Sequence, residues 1–102
     1  MSLKLKTDIN AGVERFQSTP NAVLLDVRTP EEYRRGNIQG SINLPLNDIN
    51  INNAREMLPD TSVPIFVYCQ YGGRAKRAVR KLRKLGYQNA ECIGGFSNYK
   101  GW

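Results

Sequence analysis

Two short runs of apolar residues constrain the fold of this chain most strongly. Residues 22–25 and 65–68 are continuously apolar, which is typical of strands that are covered on both faces. A turn and then a helical pattern follow each run. This alternation predicts a three-layer α/β fold with a mainly parallel sheet flanked by helices, in which functional sites form at the carboxyl ends of the strands.

The chain has 102 residues, which suits a single domain spanning residues 1–102. Weaker patterns predict the elements outside the two apolar runs. Residues 8–18 predict a first helix capped by Asp8, and Thr29 caps a short helix that begins at Pro30 and ends at Gly36. Partial periodicity predicts a weak helix over 47–58, and strong periodicity predicts one over 74–85. Further strands are predicted at 41–44 and 90–93, with a short helix after Gly94 and Gly95.

Composition limits the catalytic groups and metal ligands that the chain can supply. Histidine is absent, so the usual general base near neutral pH and the commonest metal ligand are both missing. The two cysteines, Cys69 and Cys92, cannot build a zinc site or a disulfide scaffold, and we expect no metal and no cofactor. The formal net charge of +6 favours encounters with anions, acidic proteins or nucleic acid.

The chain also lacks membrane and export patterns. No stretch approaches the ~20 apolar residues that span a bilayer, and the N-terminus lacks the apolar core of a secretory signal. We therefore expect no membrane partner and a cytoplasmic location. A periplasmic location stays open, because the opening Met-Ser-Leu is also what an expression scar in place of a removed segment looks like.

One cysteine lies where chemistry is expected. Cys69 follows the strand at 65–68, and the loop that joins it to the next helix reads Gln70, Tyr71, Gly72, Gly73, Arg74. The two glycines allow successive amides to converge above the sulfur, and such a nest binds negative charge. With the helix start and Arg74, it favours a nucleophilic thiolate that needs no histidine. The alternative is a buried strand-end cysteine beside an ordinary glycine turn.

Three segments resemble the rhodanese family of sulfurtransferases. DVRTPEEYRRGNIQGSINLP is similar to the family's DVR-x-x-x-EY and G-H-I-x-G-A-x-N elements, CQYGGRA to its active-site loop, and IGGFSNYKGW to its closing GG and Trp. The resemblance implies a five-stranded, mainly parallel sheet. It also implies that Cys69 takes sulfur from thiosulfate or a similar small anionic donor, as a persulfide. The sulfur then passes to cyanide or a thiol, with a thioredoxin-like protein as a candidate partner.

The same resemblance assigns roles around the cysteine. The amides of residues 70–74 form the cradle, and Arg74 turns inward to brace the loop or to meet the anion. Asp26 and Arg28 match the DVR element. A fold-holding ion pair, from which Arg28 reaches the loop, is favoured for them over a direct part in catalysis. Asn37 replaces the usual His and Ser41 the usual Ala, and we interpret both as tolerated changes.

Two other functions remain open from the residues. A related Cys and Arg loop serves phosphatases and arsenate reductases, but that loop is one residue longer than the present one. A noncatalytic binding module would use the basic helix at 74–85 for an acidic partner or RNA, although nucleic acid is the less favoured partner. Cys92 fits a buried structural thiol better than a second reactive one. Tyr71 fits packing and shaping of the pocket mouth equally well.

Overall fold

Residues 7–101 are described by the computed structural model. They form four α-helices, four strands and two short 3-10 turns. In chain order these are α1 (Ile9–Ser18), β1 (Val23–Asp26), α2 (Pro30–Arg35), β2 (Ser41–Asn43), a 3-10 turn (Leu46–Asp48), α3 (Ile51–Met57), β3 (Ile65–Cys69), α4 (Gly73–Lys84), β4 (Ala90–Gly95) and a second 3-10 turn (Phe96–Asn98). The strands and helices predicted from the residues are present within a few residues of their expected bounds, except that the weak helix predicted over 47–58 is divided into a 3-10 turn and α3.

The strands form one parallel sheet in the order β2-β1-β3-β4. The resemblance implied five strands, and this is wrong for residues 7–101, which hold four. The residues themselves had predicted only these four strands, two from the apolar runs at 22–25 and 65–68 and two weaker ones at 41–44 and 90–93. The α/β class and the parallel pairing are confirmed.

Helices cover both faces of the sheet, as a three-layer fold requires. On one face α1 packs Ile9 and Val13 against Leu24, Phe66 and Ile93. The opposite face packs against a larger cluster that includes Ala54 of α3, the buried stripe of α4 and the side chain of Cys69. All five residues of β3 are buried. The strand that carries Cys69 is therefore held on both faces.

Local capping explains where the helices begin. Asp8 accepts a hydrogen bond from the Asn10 amide at the start of α1. Thr29 and Glu32 form a reciprocal capping box at the start of α2, and Asn50 caps α3. Each cap satisfies main-chain N–H groups that have no partner inside the helix.

Strand β4 departs from the prediction at its end. It continues through Gly94 and Gly95, which had been expected to lead into a helix. A register shift opposite Val67 and Tyr68 marks a bulge, and Gly94 adopts a positive φ of 115° there. Such a conformation is accessible to glycine at little cost.

The chain's two ends are only partly described. Residues 1–6, on which the expectation about a signal segment rests, lie outside the described residues. So does Trp102, which matches the closing Trp of the resemblance. Ahead of it in the chain, Phe96 and Tyr99 pack against the cluster beneath α1.

Candidate active site

The site is built where β3 ends and α4 begins. Cys69 is the last residue of β3, and α4 starts at Gly73, one residue earlier than predicted. The connection is therefore very short. Cys69 is 1% exposed, so its sulfur lies beneath the loop rather than on the surface.

Two main-chain amides point at the sulfur. The Gly72 N–H donates to Cys69 Sγ at 2.9 Å, and the Ala75 N–H donates to it at 3.3 Å. Such donors favour a negatively charged sulfur. The predicted cradle covered residues 70–74, and Ala75 lies just outside it.

The helix start explains why Ala75 takes part. The first hydrogen bond of α4 runs from the Lys76 N–H to the Gly72 carbonyl, at 3.1 Å. The N–H groups of residues 73–75 precede that bond and have no partner inside the helix. The sulfur of Cys69 satisfies the last of them. A helix start predicted at Gly73 instead of residue 74 would have indicated the Ala75 N–H as a donor.

Glycines shape the loop, but not the pair that the sequence suggested. Gly72 has a positive φ of 105° and needs the conformational freedom of glycine. Gly73 has no positive φ, and a Cβ added there would meet nothing within 4 Å. Gly95, which was not predicted, is the second critical glycine. A Cβ on it would lie 2.5 Å from the Gln70 carbonyl oxygen and 2.7 Å from Tyr71 Cα.

A buried ion pair supports the beginning of the loop. The Arg28 guanidinium donates to both carboxylate oxygens of Asp26, and the closest contact is 2.7 Å. Its remaining nitrogen donates to Gln70 Oε1 at 3.1 Å. Burial opposes the charge on Arg28, but the hydrogen bonds and charge of Asp26 outweigh burial and raise the pKa of Arg28. Arg28 thus reaches the loop through Gln70.

A second ion pair supports the end of the loop. Arg74 makes two hydrogen bonds to the Glu32 carboxylate, at 2.7 and 3.0 Å. This contact with Arg74 lowers the pKa of Glu32 to about 2. Arg74 therefore braces the loop against α2. Glu32 was not predicted as a site residue, because its contact with Arg74 joins segments that are 42 positions apart.

The second cysteine lies on the other side of the loop. Cys92 Sγ contacts the Gly72 carbonyl oxygen at 3.8 Å, and burial raises the pKa of the Cys92 thiol. Cys92 lines a cavity of about 320 Å³ with Tyr71, Gly73 and Lys76. Tyr71 itself is 82% exposed, so it lies on the surface of the loop rather than in the core.

Within residues 7–101 no three His, Cys, Asp or Glu side chains come together as ligands for a metal ion. In that part of the chain no helix has both the length and the apolar character to cross a bilayer. The remaining predicted residue, Asn37, donates its side-chain amide to the Tyr33 carbonyl at 3.0 Å, which closes α2 locally.

Comparison with known proteins gives a consistent result. The profile of the rhodanese-like domain matches residues 10–101. The thiosulfate sulfurtransferase PspE of Escherichia coli strain K12 is 35% identical over 74 residues, which cover 72% of this chain and 70% of PspE. A solved rhodanese with anions from E. coli has a TM-score of 0.68 and 32% identity, covering 76% of this chain and 91% of that one.

A much longer protein is also similar. The adenylyltransferase and sulfurtransferase uba4 of Ogataea parapolymorpha is 31% identical over 96 residues, which cover 93% of this chain and 24% of that protein. The chain thus spans about a quarter of the length of this relative.

Proposed function

Because the chain belongs to the rhodanese-like domain family, we propose that it is a sulfurtransferase that carries the transferred sulfur on Cys69. The observation that carries the proposal is the pair of amide hydrogens, from Gly72 and Ala75, directed at Cys69 Sγ. The relative PspE is named a thiosulfate sulfurtransferase, which supports thiosulfate as the donor.

In the first step the Cys69 thiolate attacks the outer sulfur of thiosulfate. A sulfur–sulfur bond forms at Cys69, and the sulfur–sulfur bond of thiosulfate breaks. Sulfite leaves with the bonding electron pair, and Cys69 becomes a persulfide anion. The two amides stabilise negative charge on sulfur before and after this step. No histidine takes part, since the sequence contains none.

In the second step an acceptor removes the outer sulfur. A thiolate or cyanide attacks it, the persulfide bond breaks, and the Cys69 thiolate is regenerated. The products are the acceptor persulfide or thiocyanate. The enzyme thus alternates between two covalent states, which is the pattern of nucleophilic catalysis. Burial of Cys69 keeps bulk water away from the persulfide between the steps.

The two ion pairs serve as positioning groups in this proposal. Arg28 fixes the first loop residue through Gln70, and Glu32 fixes Arg74. Neither carboxylate touches Cys69 Sγ. Their task is to hold the two amide donors within hydrogen-bond distance of the sulfur, because small displacements of such donors weaken stabilisation steeply.

Intact mass spectrometry tests the proposal directly. After treatment with thiosulfate and desalting, the wild type gains one sulfur, about 32 Da, and cyanide removes it. Cys69→Ser does not gain mass. Cys92→Ser is the matched control, because it removes the other thiol and leaves both amide donors in place, and it gains the same mass as the wild type.

Two results would refute this assignment. One is a wild type that gains no sulfur from thiosulfate or from another sulfane-sulfur donor. The other is a Cys69→Ser variant that gains sulfur as fully as the wild type, since the reactive thiol would then be Cys92.

A further inference from the structure

Helix α4 presents a strongly charged face that the proposed chemistry does not use. It carries no acidic residue, and its basic residues are Arg74, Lys76, Arg77, Arg80, Lys81, Arg83 and Lys84. All of them except Arg74 are exposed. Of these seven, only Arg74 has a carboxylate partner among residues 7–101. Most of the protein's positive charge excess is thus concentrated on one helix.

This charge begins beside the loop that follows Cys69. Lys76 lines the same cavity as Tyr71 and Gly73, and Arg77 lies beside Arg74 at the other flank of the loop. Arg80 and Lys84 continue outward at helical spacing, on the side opposite the buried Ala78 and Leu82. We call Tyr71, Lys76, Arg77, Arg80 and Lys84 the α4 face.

We propose that the α4 face docks an acidic protein whose cysteine accepts the sulfur from Cys69. This inference rests on the proposed sulfur transfer and names its acceptor by chemistry. The docked partner presents a thiolate, which attacks the outer sulfur of the persulfide. The persulfide bond breaks, the partner cysteine leaves as a persulfide, and Cys69 retains the electron pair as a thiolate.

The charge of the α4 face favours an acidic partner. Several unpaired cations on one face attract a carboxylate-rich surface and speed its approach at physiological salt. Their alignment from the loop outward would place the partner over the loop that follows Cys69. Helix α4 rises about 1.5 Å per residue, so the row from Arg77 to Lys84 spans roughly 10 Å, which suits contact with a protein surface patch.

The exposed Tyr71 favours a protein over RNA as that partner. It is 82% exposed and lies in the loop itself, whereas most large apolar side chains of the described chain are buried. Tyr and Arg are enriched at the centre of protein interfaces. Surfaces for single-stranded nucleic acid combine basic residues with several stacking aromatics, and the α4 face has one aromatic. An acidic protein therefore fits better than RNA.

Fluorescence anisotropy with a defined probe tests the docking. The probe is a short acetylated peptide with one cysteine beside a leucine and a run of Glu and Asp residues, compared with a peptide that has Gln and Asn instead. At about 0.15 M ionic strength the wild type binds the acidic peptide at least tenfold more tightly than the peptide with Gln and Asn. Arg80→Glu weakens that binding about fivefold, and Tyr71→Ala weakens it to a similar extent.

Lys100→Glu is the matched control, because it makes the same change in net charge. Lys100 is exposed, and its main-chain N–H bonds to Asn10 of α1, on the side of the sheet opposite α4. Its binding stays within about twofold of the wild type, since charges far from a docked ligand are largely screened. Equal weakening by Arg80→Glu and Lys100→Glu would overturn the α4 face as the docking site.

Two further arms separate the possible failures. A single-stranded RNA of equal charge that binds the α4 face more tightly than the acidic peptide would overturn the choice of a protein partner. Thiosulfate loading followed by mass spectrometry reports sulfur transfer independently of docking. If the wild type loads sulfur but Arg80→Glu does not weaken binding of the acidic peptide, only this inference is contradicted. A protein that binds the peptide through α4 but never loads sulfur contradicts the proposed function.

Discussion

Cys69 and Cys92 lie in neighbouring strands of one sheet, and both contact Gly72, but from opposite ends of that residue. The Gly72 N–H donates to Cys69 Sγ at 2.9 Å, whereas the Gly72 carbonyl faces Cys92 Sγ at 3.8 Å. An amide hydrogen favours a negatively charged sulfur, and a carbonyl oxygen favours the protonated thiol. Cys69 is also the more buried of the two. Cys92 also has a main-chain hydrogen bond to Gly94 that favours its thiolate, but burial outweighs this bond and raises the pKa of Cys92. Exposure alone would therefore favour Cys92 as the reactive thiol, whereas the two amides that point at its sulfur favour Cys69.

The largest expected effect comes from breaking the buried ion pair beside the Cys69 loop. Asp26→Asn leaves the Arg28 guanidinium buried without its counter-charge, and such a loss costs about 3–5 kcal/mol of the free energy of unfolding. Urea denaturation at neutral pH measures it. Because Arg28 also holds Gln70, the variant should load sulfur poorly under conditions in which it is still folded.

The exposed pair between Arg15 and Glu91 provides the control for that prediction. Both side chains are about half exposed, at 51% and 48%, and exposed pairs contribute roughly 0–1 kcal/mol. Glu91→Gln should therefore change stability little. If Asp26→Asn lowered the free energy of unfolding no more than Glu91→Gln, the buried ion pair would not be what supports the loop after Cys69.

The next effect tests whether the loop position distinguishes the two cysteines. In Gly95→Ala the new Cβ collides with main-chain atoms of Gln70 and Tyr71, so the loop must move away from Cys69. The rate of sulfur loading should fall about 100-fold, the usual cost of losing one well-placed donor. Gly73→Ala is the paired variant, because its Cβ meets open space, and its rate should stay within about threefold. Stopped-flow loading rates with similar losses in both variants would argue against a precise cradle.

A smaller effect depends on pH. The pKa of Glu32 is lowered from 4.5 to about 2, so its ion pair with Arg74 stabilises the folded state above about pH 4.5 and loses this effect as the pH falls towards 2. Glu32→Gln should reduce the free energy of unfolding by roughly 1–2 kcal/mol at neutral pH, after allowance for solvent screening. The gap between wild type and variant should close as the pH falls.

Urea denaturation at several pH values measures this gap. Gln can still complete the capping box with Thr29, so the substitution mainly tests the charge. Glu31→Gln is the control, since Glu31 is exposed in the same helical turn and has no ion-pair partner among residues 7–101. A gap of equal size at every pH would show that the charge of Glu32 is not what stabilises the fold.

The sequence predicted the frame of the molecule better than the details of the site. The apolar runs of β1 and β3, the cap at Thr29 and the stripe of α4 depend on neighbouring residues, so the local pattern contains them. The roles of Gly95 and Glu32 depend on contacts between distant segments, from β4 to the loop and from α2 to Arg74. No local periodicity encodes such contacts. The fifth strand came from the resemblance alone, and residues 7–101 do not contain it.

The smallest expected effect concerns Cys92 itself. In the Cys69→Ser variant Cys92 is the remaining thiol, and its ultraviolet absorbance reports thiolate formation. Burial, the largest cause, raises the pKa of Cys92 above the ordinary 9.0, so thiolate should form at higher pH in the folded variant than in the same variant unfolded in urea.

The sign of this effect also predicts a stability change. A thiol whose pKa is higher in the folded state keeps its proton longer there, so the free energy of unfolding declines as the pH rises above about 9. Cys92→Ser should lack this decline and should otherwise match the wild type in sulfur loading to within about twofold. A Cys92 thiol that ionised below its ordinary range would contradict this prediction, because burial could not then be the dominant influence on its pKa.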